Sequence, residues 1–329
     1  MLRIPFTAMV AELKRVLLKT GFTPERAGVC AHLFVNASRD GVYSHGLNRF
    51  PRFMDYIQKG LIDIQAEPVL KKQLGALEQW DGRMGPGNLN AWACMNRAME
   101  LASVHTLGCV ALSNTNHWMR AGNYGWQAVD AGMAAICWTN TQPNMPAWGG
   151  KNPKIGNNPL VIAVPRANGA LVVDTAMSQF SFGKLEAYRL QGQTLPVAGG
   201  FDDHGNLTRD PAVIEKNWQV FPLGYWKRAG LSIMLAVLAA ALSGGLTVHD
   251  IGRQPEECRL SQVFMAFDIR QTGDIAFLAQ LLGELIAHPH QSEPPYAGEP
   301  VRHPGEKNRA ISKTNLKLRN PARGNARNT

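Results

Sequence analysis

The chain has 329 residues, 45% of them hydrophobic and 18% charged, which excludes a mostly disordered polypeptide and allows more than one compact unit. Its net charge of +9 points at first to an anionic partner. However, Lys307, Arg309, Lys313, Lys317, Arg319, Arg323 and Arg327 all lie in an acid-free tail without interleaved aromatic residues, so residues 1–306 carry only +2 (9 − 7) and specific nucleic-acid binding is not expected.

In chain order, Phe6 and Thr7 can staple and cap a first helix to Lys19, with Val10, Leu13, Val16 and Leu17 on one face and Gly21 as its stop. Thr23, Pro24 and Glu25 give a second helix its cap, first-turn proline and N-terminal acid, and it should run to about Ser38. A polar loop from Asp40 to Gly46 leads into a third helix over 47–59. Residues 81–87 form a turn cluster, and Asn88 can cap a helix to about Val104. Short apolar runs at 109–113, 134–138, 160–164 and 170–175 are strand-length and bounded by Gly, Asn or Pro. Helices over 121–131 and 181–191 interleave with them. Asp202 to Asn206 reads as a hairpin turn, because its spacing and last residue do not suit a calcium loop.

Residues 230–242 are the most apolar stretch. They number about 13, short of the roughly 20 a membrane span needs, so a buried helix is expected. A strand over 263–269 and a helix over 276–287 follow. Residues 288–300 read as loop, His288 and His290 included, and no metal site is expected. The strands do not alternate regularly with helices, which disfavours a doubly wound parallel sheet. The expectation is an α/β (α+β) protein with a helical region at 1–74, a mixed body at 75–285, and a return segment at 286–329 packing on the N-terminal region. Cys30, Cys94, Cys109, Cys137 and Cys258 are widely spaced without a C-x-x-C pair, so neither a disulfide framework nor a zinc site is expected. With no signal-peptide h-region at the start, the expected compartment is the cytoplasm.

Neither a G-x-G-x-x-G turn after a strand nor a G-x-x-x-x-G-K-[ST] loop is present, so a dinucleotide site here must be built without the Rossmann turn. The segment from Tyr43 to Pro51 carries His45 and, four residues on, Arg49. An arginine can grip the carboxylate of a 2-oxo acid with two parallel hydrogen bonds, and a histidine can give a proton to the ketone oxygen as hydride arrives. The plainer reading is a loop histidine that caps a helix. His117, between Asn116 and Trp118, follows a strand end and precedes a helix; Asn116 joins Arg49 as a candidate substrate contact. The plainer reading there is a turn with helix-capping amides. Trp226 and Lys227 precede the apolar helix, where backbone N–H groups and a lysine suit a pyrophosphate, unless this is simply a surface loop.

Together SHGLNRFPRF, NTNHWMRAGNYGWQA, CWTN followed by MPAWGG, VVDTAMS, GGFDDHGNLT and PLGYWKRAGLSI resemble the malate/L-lactate dehydrogenase family that lacks a Rossmann domain, over roughly residues 5–306. The resemblance implies a nicotinamide-binding domain with a mixed, largely antiparallel sheet. It also implies a homodimer with the active site between domains, and NADH as cofactor, with NADPH as an alternative. The SHG histidine, the family's proton donor, falls on His45; some relatives use the histidine that falls on His117. Cofactor contacts fall on Ala170, Leu171, Val172, Val173, Asp174, Thr175 and Ala176, on Trp226 and Lys227, and on His303, Pro304 and Gly305. Departures are Asn157 where the family usually has Thr, His303 where it usually has Leu, and everything after Glu306. That segment has few apolar residues and no acid, so residues from about Asn308 are expected to be poorly packed, or held mainly by a neighbouring subunit.

The reading is NADH-dependent reduction of a ketone on a small, sugar-derived 2-oxo acid. Alternatives are a malate-, lactate- or ureidoglycolate-type dehydrogenase, a nucleic-acid-binding protein acting through its tail, and an inactive remnant.

Overall fold

The computed structural model describes residues 4–166, 169–273, 275–293, 301–306 and 311–312. Its N-terminal region comprises α1 (Phe6–Lys19), α2 (Pro24–Arg39) and α3 (Phe50–Gln58). The Thr23 hydroxyl caps α2 by accepting the Arg26 N–H, whereas no side chain caps α1, which starts after Pro5 rather than after Thr7. The apolar faces of these helices meet in a cluster that includes Leu17, Phe22, Phe34, Phe50 and Phe53.

The chain then enters a sheet through β1 (Val69–Leu74) and β2 (Leu77–Asp81), so strand structure begins inside the region expected to be helical. Next come α4 (Gly87–His105), β3 (Leu107–Thr115), α5 (Gly122–Asp130), β4 (Ala134–Thr139) and the short pair β5 (Met145–Pro146) and β6 (Pro153–Ile155). β7 (Leu160–Val164), β8 (Leu171–Thr175) and α6 (Phe182–Leu190) follow, then the hairpin of β9 (Gly200–Phe201) and β10 (Leu207–Thr208). The chain continues through α7 (Pro211–Asn217), α8 (Trp226–Ser243), α9 (Val248–Ile251), β11 (Leu260–Phe267) and α10 (Ile275–His290). His288 and His290 therefore end a helix rather than sit in a loop.

The main sheet has the order β1-β2-β3-β11-β4-β7-β8. Among the described residues β2 and β3 pair in parallel, and the other neighbours in this sheet are antiparallel. This is the mixed, largely antiparallel sheet expected, and it is not a Rossmann fold. The period of two along β3 sorts its side chains: Val110 and Leu112 join the core that includes α4 and α5, while Cys109 and Ala111 join the one that includes α8. Both faces are covered, which is why β3 reads as one apolar run.

The expectation of a buried helix at 230–242 needs correcting. α8 runs from Trp226 to Ser243, and its buried residues are Ala229, Ser232, Leu235, Ala239 and Ser243. That stripe of mostly small residues lets the helix lie close to the sheet. The Asn158 amide donates to the Ser232 carbonyl at 2.8 Å and the Trp138 indole to the Leu235 carbonyl at 3.1 Å. The larger apolar residues Leu231, Ile233, Met234, Val237 and Leu238 are exposed on the outside. By length and composition α8 could cross a membrane, with a mean hydropathy of 1.3; its hydrogen bonds to the sheet layer hold it within this fold.

Candidate active site

Asp40 ends α2, and the chain returns through a 3-10 turn at Tyr43–His45. Gly46 lets it do so. A Cβ there would collide with the Oγ and backbone N of Ser38, whose hydroxyl accepts the Leu47 N–H at 2.9 Å. From the other side Gly183 of α6 closes on Ser44, again with no space for a side chain. His45 is thus wedged between α2 and α6, next to the end of β3.

His117 follows that strand end, and its ring stacks on His45 with centroids 5.8 Å apart and planes 23° apart. The two imidazoles differ in what their Nδ1 atoms meet. The backbone N–H of Met119 donates to Nδ1 of His117 at 2.9 Å. A backbone N–H can only donate, so this nitrogen is an unprotonated acceptor and the ring proton sits on Nε2. A second proton on His117 would have to break that bond. Nδ1 of His45 instead meets the Ser44 hydroxyl at 3.0 Å. A hydroxyl can donate or accept, so His45 can be neutral or charged in place. Burial, then Arg49 and Arg120, push the His45 pKa down to about 4. Burial, then Arg49, His45 and Arg52, hold His117 well below the ordinary histidine range.

Arg49 lies in a second 3-10 turn, Leu47–Arg49, leading into α3. It faces Glu257 at 3.6 Å across a largely buried gap, and burial lowers its pKa. Arg52 donates to the Tyr56 hydroxyl at 2.9 Å, which donates to Glu256 at 2.9 Å. Arg49, His45 and His117 are therefore brought together. Asn116 is placed differently: its amide nitrogen donates to the carbonyls of Leu61, Met84 and Gly85, so it braces the backbone beneath His117.

The three candidate cofactor segments also converge. Val172 in edge strand β8 donates its N–H to the Pro304 carbonyl at 3.3 Å, which lays His303–Gly305 along the strand. Just beyond the strand, Leu223 donates to the Met177 carbonyl at 2.9 Å, which brings in the turn carrying Trp226 and Lys227. No side chain caps the start of α8 at Trp226, and Lys227 there is exposed, so its N–H groups and ammonium suit a pyrophosphate. Asp174 of β8 accepts the Gly122 N–H at 2.9 Å, and burial raises its pKa against the opposing effects of Arg120 and that N–H. These residues fit a dinucleotide without a Rossmann turn.

The sequence reading missed Arg120, Asp40, Ser44 and Glu257. The signal for Arg120 was its place three residues after His117, but its carboxylate partners lie on distant segments. A separate cavity of about 270 Å³ lies among α2, α4 and α5, lined in part by Trp92, Trp126, Asp130 and Asp40, with neither His45 nor His117 in its wall. Among the described residues no cluster of three metal-ligating side chains occurs.

The family profile described as Malate/L-lactate dehydrogenase matches residues 4–319. A 2,3-diketo-L-gulonate reductase of Klebsiella pneumoniae (strain 342) is 49% identical over 269 residues, 82% of this chain and 81% of that protein. The protein of the same name from Escherichia coli (strain K12) is 44% identical over 305 residues, 92% of each chain. Among solved structures, malate dehydrogenase from Pyrococcus horikoshii OT3 superposes with a TM-score of 0.87 at 27% identity, covering 96% of this chain and 90% of that one.

Proposed function

The chain belongs to the malate/L-lactate dehydrogenase family and is an oxidoreductase acting on a CH–OH group with a nicotinamide cofactor, and from that premise we propose that it reduces 2,3-diketo-L-gulonate to 3-dehydro-L-gulonate with NADH. The shared name of its 49% and 44% identical relatives supports the substrate. The observation that carries the acid–base assignment is the contrast at the two Nδ1 atoms, a fixed backbone donor on His117 and an adaptable hydroxyl on His45.

A reduced nicotinamide supplies the hydride when bound. Arg49 takes the substrate carboxylate in a two-pronged grip, displacing its 3.6 Å approach to Glu257. His117 keeps its proton on Nε2 and steadies the ketone oxygen as a neutral donor. His45 delivers the proton as negative charge builds on that oxygen. Its low pKa in the free protein makes it a strong acid; burial is the main cause, and the arriving carboxylate offsets part of the further repulsion from Arg49. Residues 170–176 and 303–305 would contact the cofactor, and Trp226 with Lys227 would hold its phosphates.

The outward face of α8, with Met234 and Val237 more than half exposed, supports a homodimer whose partner covers it; the mass in solution tests this. The five unpaired, buried cysteines support a reducing, cytoplasmic setting, which cell fractionation tests.

NADH oxidation measured with 2,3-diketo-L-gulonate beside pyruvate and oxaloacetate tests the substrate, and repeating it with NADPH tests the cofactor. His45→Gln should lower turnover by about 10²-fold or more with NADH binding intact. His117→Gln should weaken substrate binding more than turnover. The reverse pattern would assign the proton to His117.

A further inference from the structure

One buried guanidinium lies where the histidine loop, the His117 turn and the cofactor strand meet. Arg120 is 2% exposed. Its Nη1 donates to Oδ2 of Asp40, the residue that ends α2 and begins the His45 loop. Its Nε lies 3.8 Å from Oδ2 of Asp174 in β8, too far for a hydrogen bond, and has no other hydrogen-bond partner among the described residues. A buried, unsatisfied N–H is costly, so a small movement that brings Asp174 onto Nε would be favoured. The same Oδ2 of Asp174 accepts the N–H of Gly122, the first residue of α5 and two residues after Arg120.

We propose that Arg120 is a positioning residue that ties the His45 loop, through Asp40, to the cofactor strand, through Asp174. This rests on the reading of β8 as a cofactor segment and of His45 as the proton donor. A cofactor settling against β8 brings Asp174 onto Nε, and the rigid guanidinium carries that shift to Asp40 at the base of the loop. A lysine at this position keeps the charge but cannot reach two carboxylates in one plane.

The test measures NADH affinity by fluorescence together with thermal stability and turnover. Arg120→Lys should weaken NADH binding about tenfold. Asp40→Asn, which on this reading touches neither the cofactor nor the histidine, should weaken it too, and the double variant should be no worse than the poorer single one. Arg97→Lys is the control, because Arg97 pairs with the buried Glu78 between α4 and β2. It should lower stability and leave NADH affinity unchanged. If Arg120→Lys and Asp40→Asn lower stability as Arg97→Lys does while NADH affinity stays native, Arg120 is only a structural ion-pair member and the inference falls. Additive effects of the two changes would equally overturn the tie. Should Asp40→Asn fail to fold, Arg120→Lys decides alone: native NADH affinity overturns the proposal, and a tenfold loss that Arg97→Lys does not share supports it. A native protein that binds no NADH would instead bring down the proposed function, and this inference with it.

Discussion

At the scale of single residues, the proposed proton donor is a histidine whose burial disfavours its charged form. With its pKa pushed down to about 4, His45 is neutral in most molecules of the free protein at pH 7. A proton donor must be protonated, so kcat/KM for ketone reduction should rise steadily as pH falls from 7 toward 5. An inflection at or above 6.5 would remove His45 from that role. Stability should move the opposite way. A histidine with a depressed folded pKa binds fewer protons folded than unfolded between about 4 and 6.5, so its contribution is present above 6.5 and is lost as pH falls through that window. The melting temperature should therefore drop across it, and His45→Gln should shrink the drop. Arg49→Lys keeps the charge and loses the two-pronged geometry, which should cost about 1.5–3 kcal/mol of substrate binding. An unchanged KM for the 2-oxo acid would place the carboxylate elsewhere.

At the scale of elements, the His45 loop depends on one missing side chain. Gly46→Ala puts a methyl group into Ser38, so the loop must lift from α2. Overpacking of this kind costs about 1–3 kcal/mol. A shift of about 1 Å at the acid can cost about 10²-fold in rate. Turnover should fall while NADH affinity holds; a variant with native kcat would show that the loop tolerates the displacement. The sequence made most elements legible because each carries its own period and stop signals. Thr23 caps α2, Ser181 caps α6, and β3, β4, β7 and β11 are short apolar runs between turns. β1 was not legible, since Val69–Leu74 is exposed throughout, contains Lys71 and Lys72, and shows no alternation of apolar and polar residues. The outward face of α8 was not legible either. A helix apolar all round does not announce which side packs, and here the small residues decided it.

At the scale of the whole molecule, His45, Arg49 and His117 were legible as separate motifs, but their meeting was not. The ion pairs behind them join residues 80 positions apart, as in Arg120 with Asp40, and still further apart in Arg49 with Glu257. No local pattern pairs such charges. The tail brings the same difficulty. The expectation that packing ends near Asn308 falls mostly outside the described residues, as do all seven tail cations. Ile311 and Ser312, which are described, are helical and half-buried. Two atoms of Ile311 stand 3.4 Å from where a Cβ on Gly41 would be, directly over the start of the His45 loop, and Ser312 lines the cavity that Asp40 also lines. Two truncations should therefore differ. Ending the chain after Ser312 removes Lys313, Lys317, Arg319, Arg323 and Arg327, lowers the net charge from +9 to +4 (9 − 5), and should leave melting temperature and NADH affinity unchanged. Ending it after Glu306 also removes the Ile311 contact. Losing part of one half-buried aliphatic side chain should cost about 1 kcal/mol and lower the melting temperature measurably. It should also lower turnover, because the contact bears on the start of the loop that carries His45. Equal melting temperatures for the two truncations would mean that Ile311 contributes nothing to holding the loop.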